Sequence, residues 1–173
     1  NYDKVLWLYM NKSLEKLKKI QELCLKHNLK ISTAESCSGG YLSKLITDIS
    51  GSSKIYNGSI IAYSNKTKSN VLNVPGSIIK KFGAVSETVS LLMAEGLADI
   101  IECDIAISTT GIMEAENKND LKRPQVFITI WSRKTHIVSH FLLHGNRETN
   151  RQDTVNYTFD CLYDFIHKNY LVS

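Results

Sequence analysis

A serine followed by small residues stands where a predicted strand passes into a predicted helix. Residues 36–40 read Ser-Cys-Ser-Gly-Gly, between an alternating segment (29–34) and an amphipathic one (42–49). The first turn of a helix presents free N–H groups and a partial positive charge, which suit a phosphate or a developing oxyanion. Ser36 is therefore a candidate nucleophile. A plain turn with a serine cap explains the same pattern, so the segment alone leaves both interpretations open.

A cysteine and two lysines offer further catalytic groups. Cys37 is a rival nucleophile because a helix N-terminus lowers the pKa of a thiol, but a cysteine enzyme usually needs a paired base, and no histidine is near it in sequence. Lys66 and Lys68 follow the second predicted strand. A lysine can activate a serine where burial and positive neighbours lower its pKa. From spacing alone, a solvated lysine is the simpler interpretation.

Two sets of regularly spaced side chains in the last third of the chain concern phosphate and metal binding. Arg147 and Arg151 share a helical face and could hold a phosphate through bidentate hydrogen bonds, although such pairs are also common on surfaces. His136, His140 and His144 recur every four residues. On a strand, successive members would stand about 13 Å apart. We therefore expect no metal site there.

The elements that must position these groups alternate between helix and strand. Apolar residues at helical spacing predict helices over 12–27, 42–51, 86–101 and from about 149 onwards. Strands are predicted over 29–34, 55–63, 104–110, 125–131 and 136–143, the last two as a hairpin. Ser13 and Ser86 are predicted N-caps, and Ser64 opens a short polar helix. Pro75-Gly76 predicts a turn and residues 112–123 an exposed loop.

This order of elements predicts an α/β protein, a three-layer α/β/α sandwich with a mixed β-sheet. Ligands of such sheets bind beyond the carboxyl ends of strands. Three predicted strands end at Glu35-Ser36, Tyr63-Ser64 and Thr110-Gly111. The sequence therefore predicts a site where these three ends meet.

Composition agrees with one globular domain. The 173 residues are 43% hydrophobic and 22% charged, with nine glycines and two prolines, which excludes a collagenous or disordered chain. The net charge of +4 is spread along the chain and does not indicate nucleic-acid binding. Four widely spaced cysteines predict free thiols in a reducing compartment, and without a signal peptide or membrane span we expect a cytoplasmic protein. Residues 1–11, in which Met10 is a candidate initiator, are interpreted as an N-terminal extension left by processing or expression, and 12–173 as the domain.

Four stretches of the chain resemble the CinA C-terminal domain family, the nicotinamide mononucleotide amidohydrolases also described as competence/damage-inducible proteins. They are TAESCSGG (33–40), TDISGSSKIYNGSIIAYSNKTK (47–68), VPGSIIKKFGAVSETVSLLMAEG (74–96) and STTGI (108–112). The family's forms are TAESCTGG, TD-x-x-GSS, YSN-x-x-K, GAVSE and TGIAGP, in the same order and at matching spacing. The resemblance implies hydrolysis of the carboxamide of nicotinamide mononucleotide to nicotinic acid mononucleotide and ammonia, without metal or cofactor.

The resemblance also implies a role for each matching position. Ser36 would attack the amide carbon, a neutral Lys68 would take its proton, and Lys68 or Tyr63 would protonate the leaving ammonia. The other implied positions would bind substrate. The amides of the turn would bind the oxyanion, and the arginines would bind the phosphate. These positions are Cys37, Ser38, Gly39, Gly40, Ser64, Asn65, Thr110, Gly111, Arg147 and Arg151. The implied partner is a small pyridine nucleotide, with a homo-oligomer possible and no membrane or nucleic acid expected.

The segment after Gly111 departs from the family's pattern. The family continues with AGP-x-GG and ends in KPVG, whereas residues 112–126 read IMEAENKNDLKRPQV, without glycine and with added acids. Glycine permits positive φ and close backbone approach, and acids repel a phosphate unless they point away. Two further readings therefore stand beside the amidohydrolase: a catalytically weak or inactive nucleotide-binding domain, and a competence factor that handles DNA. The positive charge is dispersed along the chain, so it gives little support to the alternative that handles DNA.

Overall fold

The centre of the protein is a mixed β-sheet, seen in a computed structural model that describes residues 2–115 and 123–171, residues 2–12 by backbone alone. Its strands are β1 (Ile31–Glu35), β2 (Tyr56–Ile61), β3 (Ile105–Ile112), β4 (Gln125–Trp131) and β5 (His136–Leu142). Their order is β2-β1-β3-β4-β5. β1 runs parallel to β2 and β3, whereas β4 is antiparallel to β3 and β5. The predicted mixed sheet and its hairpin are confirmed.

Helices cover both faces of this sheet. The α-helices within the described residues are α1 (Tyr2–Lys26), α2 (Tyr41–Thr47), α3 (Asn65–Asn70), α4 (Gly76–Phe82), α5 (Glu87–Ile100) and α6 (Arg147–Tyr170). Apolar side chains of α1, α2 and α6 share a core with one face, and those of α4 and α5 share a core with the other. The three-layer α/β/α sandwich is therefore confirmed.

Side-chain size distinguishes the two faces of the central strand β3. Ile105 and Ile107 point into the core with α1, α2 and α6, whereas Ala106 between them points toward α5, as strand alternation requires. Helix α5 also packs closely at Gly96, where a Cβ would stand 1.9 Å from the carbonyl oxygen of Leu72. With both faces of the sheet covered, the ends of the strands are the place for a site.

Three predicted boundaries in the first half of the chain are wrong, and one of them is the end of the helix predicted over 42–51, which ends at Thr47. Helix α1 begins at Tyr2, so Ser13 is not its N-cap but lies inside the helix, where its hydroxyl donates a hydrogen bond to Asn156. Residues 75–76, predicted as a turn, open helix α4 instead. Proline lacks an N–H, and at the start of a helix that donor has no intrahelical acceptor, so its loss costs little there.

The later elements follow the prediction more closely. Ser86 caps α5 by accepting the Val89 N–H at 3.3 Å, as predicted. Helix α6 begins at Arg147, two residues before the predicted start, because Asn146 caps it. Of the loop predicted over 112–123, residues 116–122 lie outside the described residues.

The histidines and cysteines occupy unremarkable surroundings. His136 and His140 lie on β5 and His144 follows it, while His140 bonds to Gln125 and stacks on Phe127. All four cysteines are free thiols, as predicted. Within the described residues, no helix has both the length and the hydropathy that a membrane crossing requires.

Candidate active site

The predicted site lies at the carboxyl edge of the parallel strands, and Ser36 lies at its centre. Ser36 directly follows β1, and its N–H donates to the Thr109 carbonyl at 3.0 Å, so it continues the pairing of β1 with β3 by one residue. Its side chain is only 7% exposed and faces a cleft of about 760 Å³. That volume lies within the range of small-molecule sites.

Helix α3 brings Lys68 to this serine from 32 positions further along the chain. Ser64 lies three residues after the end of β2 and caps α3 by accepting the Thr67 N–H at 3.0 Å, and Lys68 follows one turn later. Lys68 is 2% exposed and is among the largest fully buried side chains of the described residues. Its Nζ lies 2.8 Å from Ser36 Oγ, so the structure brings the predicted nucleophile and base into contact.

The surroundings of Lys68 favour its neutral form. Burial lowers the pKa of the Lys68 ammonium below its ordinary 10.5, since desolvation penalises the charged form. Two carbonyl oxygens face the nitrogen, that of Ala62 at 2.9 Å and that of Tyr63 at 3.4 Å. A neutral amine has two N–H donors and one lone pair. When the amine is neutral, its two N–H groups can donate to these carbonyls, and its lone pair is then available to the Ser36 hydroxyl, as a general base requires.

A buried carboxylate shapes the turn that carries the serine. Glu35 is fully buried, and its two oxygens accept the N–H groups of Gly40 at 3.0 Å, Leu42 at 3.2 Å and Ser43 at 2.8 Å. These are the first amides of α2, where the helix dipole favours a negative charge. Sequence reasoning did not select Glu35 as a site residue, although an acid that ends a strand a few residues before a helix was a readable signal.

Glu35 also limits which amides can bind an oxyanion. The Gly40 N–H is engaged by Glu35, and the Gly39 N–H donates to the Ser36 carbonyl at 3.1 Å. Both glycines have positive φ, 62° and 92°, which explains why the turn needs them. Of the turn amides predicted to bind an oxyanion, those of Cys37 and Ser38 donate neither to Glu35 nor to a backbone carbonyl among the described residues, and both lie beside the Cys37 thiol.

The thiol beside Ser36 is unsuited to act as a nucleophile. Cys37 is 4% exposed, and burial raises the pKa of its thiol to about 12, although Thr109 and the Cys37 and Ser38 amides act in the opposite direction. A nucleophilic cysteine must be a thiolate. At neutral pH Cys37 is protonated, so Ser36 is the better candidate.

Tyr63 and Arg147 form one rim of the cleft. Tyr63 is 59% exposed, and its hydroxyl accepts a hydrogen bond from Arg147 Nη2 at 2.9 Å. Thr110 anchors another wall by donating to the Ala84 carbonyl at 2.8 Å. The predicted site residues that line the cleft are Ser36, Cys37, Tyr63, Asn65, Lys68, Thr110, Gly111 and Arg147.

The other predicted site residues support the cleft without lining it: Ser38, Gly39, Gly40, Ser64 and Arg151. The Ser38 hydroxyl bonds to that of Thr109 at 2.8 Å, and Arg151 Nε donates to the Cys37 carbonyl at 3.2 Å. The structure therefore separates the two arginines that the sequence paired. Arg147 faces the cleft and Arg151 contacts the turn.

Sequence reasoning also missed part of the cleft wall. Residues 82–85, the connection between α4 and α5, line it, as do Met113, Glu114 and Gln125. The connection lies more than forty positions from Ser36 in sequence. Its GAVSE stretch supported the family resemblance but gave no site residue, and the packing of α4 and α5 places it in the wall.

Fold and site together define an α/β protein with a buried serine–lysine pair at the carboxyl edge of its sheet. Residues 13–166 match the family described as the CinA C-terminal domain, and the chain belongs to that family. The resemblance drawn from the motifs is confirmed.

Individual relatives agree with this assignment. A CinA-like protein of Dictyoglomus turgidum is 39% identical over 152 residues, 87% of this chain and 36% of that protein. Another CinA-like protein, from Fervidobacterium nodosum, is 35% identical over 83% of this chain and 35% of its own length. The chain thus spans about a third of the length of these curated relatives. The crystal structure of competence damage-inducible protein A from Klebsiella pneumoniae shares the fold, with a TM-score of 0.86, 23% identity and coverage of 91% of this chain and 98% of that one.

Proposed function

We propose that this chain is an amidohydrolase that converts nicotinamide mononucleotide to nicotinic acid mononucleotide and ammonia. The observation that carries the proposal is the 2.8 Å contact between Ser36 Oγ and the buried, neutral-favouring Lys68 Nζ. A nucleophile in reach of its base is the minimum requirement for acyl transfer through a covalent intermediate. The family resemblance supplies the substrate.

The first half-reaction forms an ester. Lys68 takes the Ser36 proton while Ser36 Oγ attacks the carboxamide carbon, and the carbonyl oxygen becomes an oxyanion that the Cys37 and Ser38 amides stabilise. The Lys68 ammonium then returns its proton to the amide nitrogen. The C–N bond breaks, and ammonia leaves.

The second half-reaction restores the serine. Lys68, again neutral, takes a proton from a water molecule that attacks the ester carbon, and the C–O bond to Ser36 breaks as Oγ regains its proton. The products are the carboxylate and free enzyme, so one water is consumed for each ammonia released. Tyr63 is the alternative proton donor to the nitrogen, and its bond from Arg147 fixes its hydroxyl at the cleft rim.

Ammonia release from a panel of pyridine compounds tests the proposal. The panel contains nicotinamide mononucleotide, nicotinamide riboside, nicotinamide and NAD, each offered to the full chain. We expect release from the mononucleotide above all. Calorimetric binding of the mononucleotide without ammonia would instead identify a nucleotide-binding protein that has lost catalysis, and neither binding nor release would reject the substrate.

Replacing Cys37 with alanine is expected to leave the reaction almost intact. The thiol is protonated at neutral pH, and alanine keeps the backbone amide, so kcat for ammonia release should stay within about threefold of wild type. Steady-state kinetics on the purified variant measure this. A loss as large as that caused by removing the Ser36 hydroxyl would contradict the assignment of the nucleophile.

Glu114 is expected to weaken binding of phosphate-bearing substrates, because it lines the same cleft as Arg147. A neighbouring carboxylate repels a phosphate and attracts a pyridinium cation. Glu114→Gln should therefore lower KM for the mononucleotide by about two- to threefold at low salt and should not lower KM for the riboside, which lacks the phosphate. Equal shifts in KM for both substrates would show that Glu114 does not repel the phosphate.

A further inference from the structure

Arg151, on α6, contacts the turn that carries Ser36 (residues 36–40, the serine turn). Its Nε donates to the Cys37 carbonyl at 3.2 Å, and its Nη2 lies 3.4 Å from where a Cβ on Gly39 would stand. The guanidinium therefore lies against the backbone of the turn, and Gly39 leaves it room to do so. Arg147, one helical turn earlier, lines the cleft and bonds to Tyr63 instead.

The contact with the Cys37 carbonyl sets the direction of the next amide. The peptide between Cys37 and Ser38 is trans, so its C=O and N–H point in opposite directions. With the carbonyl held toward Arg151, the Ser38 N–H points away from α6. It lies beside the buried Cys37 thiol, and residue Cys37 is part of the cleft lining. A cation on the carbonyl also polarises the peptide and strengthens the N–H as a donor.

A second anchor holds the same turn at its other end. The Glu35 carboxylate accepts the Gly40, Leu42 and Ser43 amides, so those donors are directed inward and away from substrate. The amides left for an oxyanion are on the peptide units beside the Arg151 contact. Arg151 is thus placed to orient them, and not to reach a ligand in the cleft.

We propose that Arg151 is a positioning residue that orients the Ser38 amide toward the oxyanion through the Cys37 carbonyl, whereas phosphate binding is left to Arg147. The inference rests on the proposed function for its substrate. It separates two arginines whose sequence spacing predicted a common role. Loss of Arg151 should therefore affect the chemical step, and loss of Arg147 should affect phosphate recognition.

Kinetics on two substrates distinguish these roles. Arg151→Ala should lower kcat by about 10- to 100-fold, and by the same factor for nicotinamide mononucleotide and for the riboside, with KM little changed. Arg147→Ala should raise KM for the mononucleotide by a larger factor than KM for the riboside, which lacks the phosphate. Arg151→Lys, which keeps a donor for the Cys37 carbonyl, should recover part of kcat on both substrates. Selective loss of mononucleotide binding in Arg151→Ala would overturn the proposal.

Labelling of Ser36 by a fluorophosphonate makes the test independent of the amide substrate. The reagent needs the nucleophile and the oxyanion donors, and its phosphoryl oxygen takes the oxyanion's place. We expect slower labelling in Arg151→Ala than in Arg147→Ala, and partial recovery in Arg151→Lys, all at matched thermal stability. Equal rates in wild type and Arg151→Ala, or no labelling of wild type, would overturn the inference. Wild-type labelling without ammonia release would reject only the proposed substrate.

Discussion

The Ser36→Ala variant is expected to lose ammonia release from nicotinamide mononucleotide by at least about three orders of magnitude in kcat. Without Oγ there is no covalent intermediate, and the oxyanion amides and the bound substrate remain as the only catalytic aids. The hydroxyl's partner among the described residues is Lys68 Nζ, so its removal should not unfold the chain. Single-turnover ammonia release, with thermal unfolding as the check on folding, measures the effect.

An exposed serine provides the matched control for this variant. Ser53 is exposed and lies in the short 3-10 turn Ser52–Lys54, so Ser53→Ala should match wild type in kcat. Peptide mass spectrometry of the acid-quenched and digested wild type should show a mass increase on the peptide carrying Ser36, and the same peptide of Ser36→Ala should show none. Full ammonia release by Ser36→Ala would contradict covalent catalysis, and Lys68 would then have to activate water directly.

The second large effect is expected at Lys68. Lys68→Met removes the base but keeps a side chain of similar length in the buried site, and general-base catalysis typically contributes about 10²- to 10⁴-fold. We expect kcat to fall by that range. Lys66→Met, on the same helix α3 but exposed, is the matched control and should retain activity. Equal activity of both variants would remove Lys68 from the mechanism.

The pH dependence of the wild type gives an independent readout of this lysine. Only neutral Lys68 can accept the Ser36 proton, so kcat/KM should rise with pH and level off above the Lys68 pKa, which burial holds below 10.5. A plateau reached only above 10.5 would show that the base is an unperturbed lysine. The profile is measured over the range in which the enzyme stays folded.

The free energy of unfolding should also depend on pH because of Lys68, and the lowered pKa of Lys68 determines the direction of that dependence. Between the lowered folded pKa of Lys68 and 10.5, the unfolded chain binds more protons than the folded one, so the free energy of unfolding rises with pH in that window. Below the window the full cost of burying the ammonium is present, and above it the cost is gone. The difference in unfolding free energy between wild type and Lys68→Met should therefore change across this window, whereas Lys66→Met should track wild type. Denaturant unfolding at a series of pH values measures this.

Local sequence signals predicted much of the fold and part of the site. Alternation and small residues predicted that β1 ends at a turn opening α2, which places Ser36 at the carboxyl edge of the sheet. The Ser86 cap and the periodicity after it predicted α5. The predictions at Ser13 and at residues 75–76 are wrong because each has the local chemistry of a boundary, whereas one helix extends through Ser13 and another begins at Gly76.

By itself, the sequence determined the family, through long motifs in order, and the identity of Ser36 and Lys68 as a candidate pair. Only the tertiary structure decided that the Lys68 amine is buried against Ser36 and two carbonyls, because desolvation depends on what packs around a side chain and not on its neighbours in sequence. It also decided that Arg147 faces the cleft while Arg151 contacts the serine turn. Two side chains one helical turn apart share a face of the helix, but the elements packed against that face determine what each one contacts.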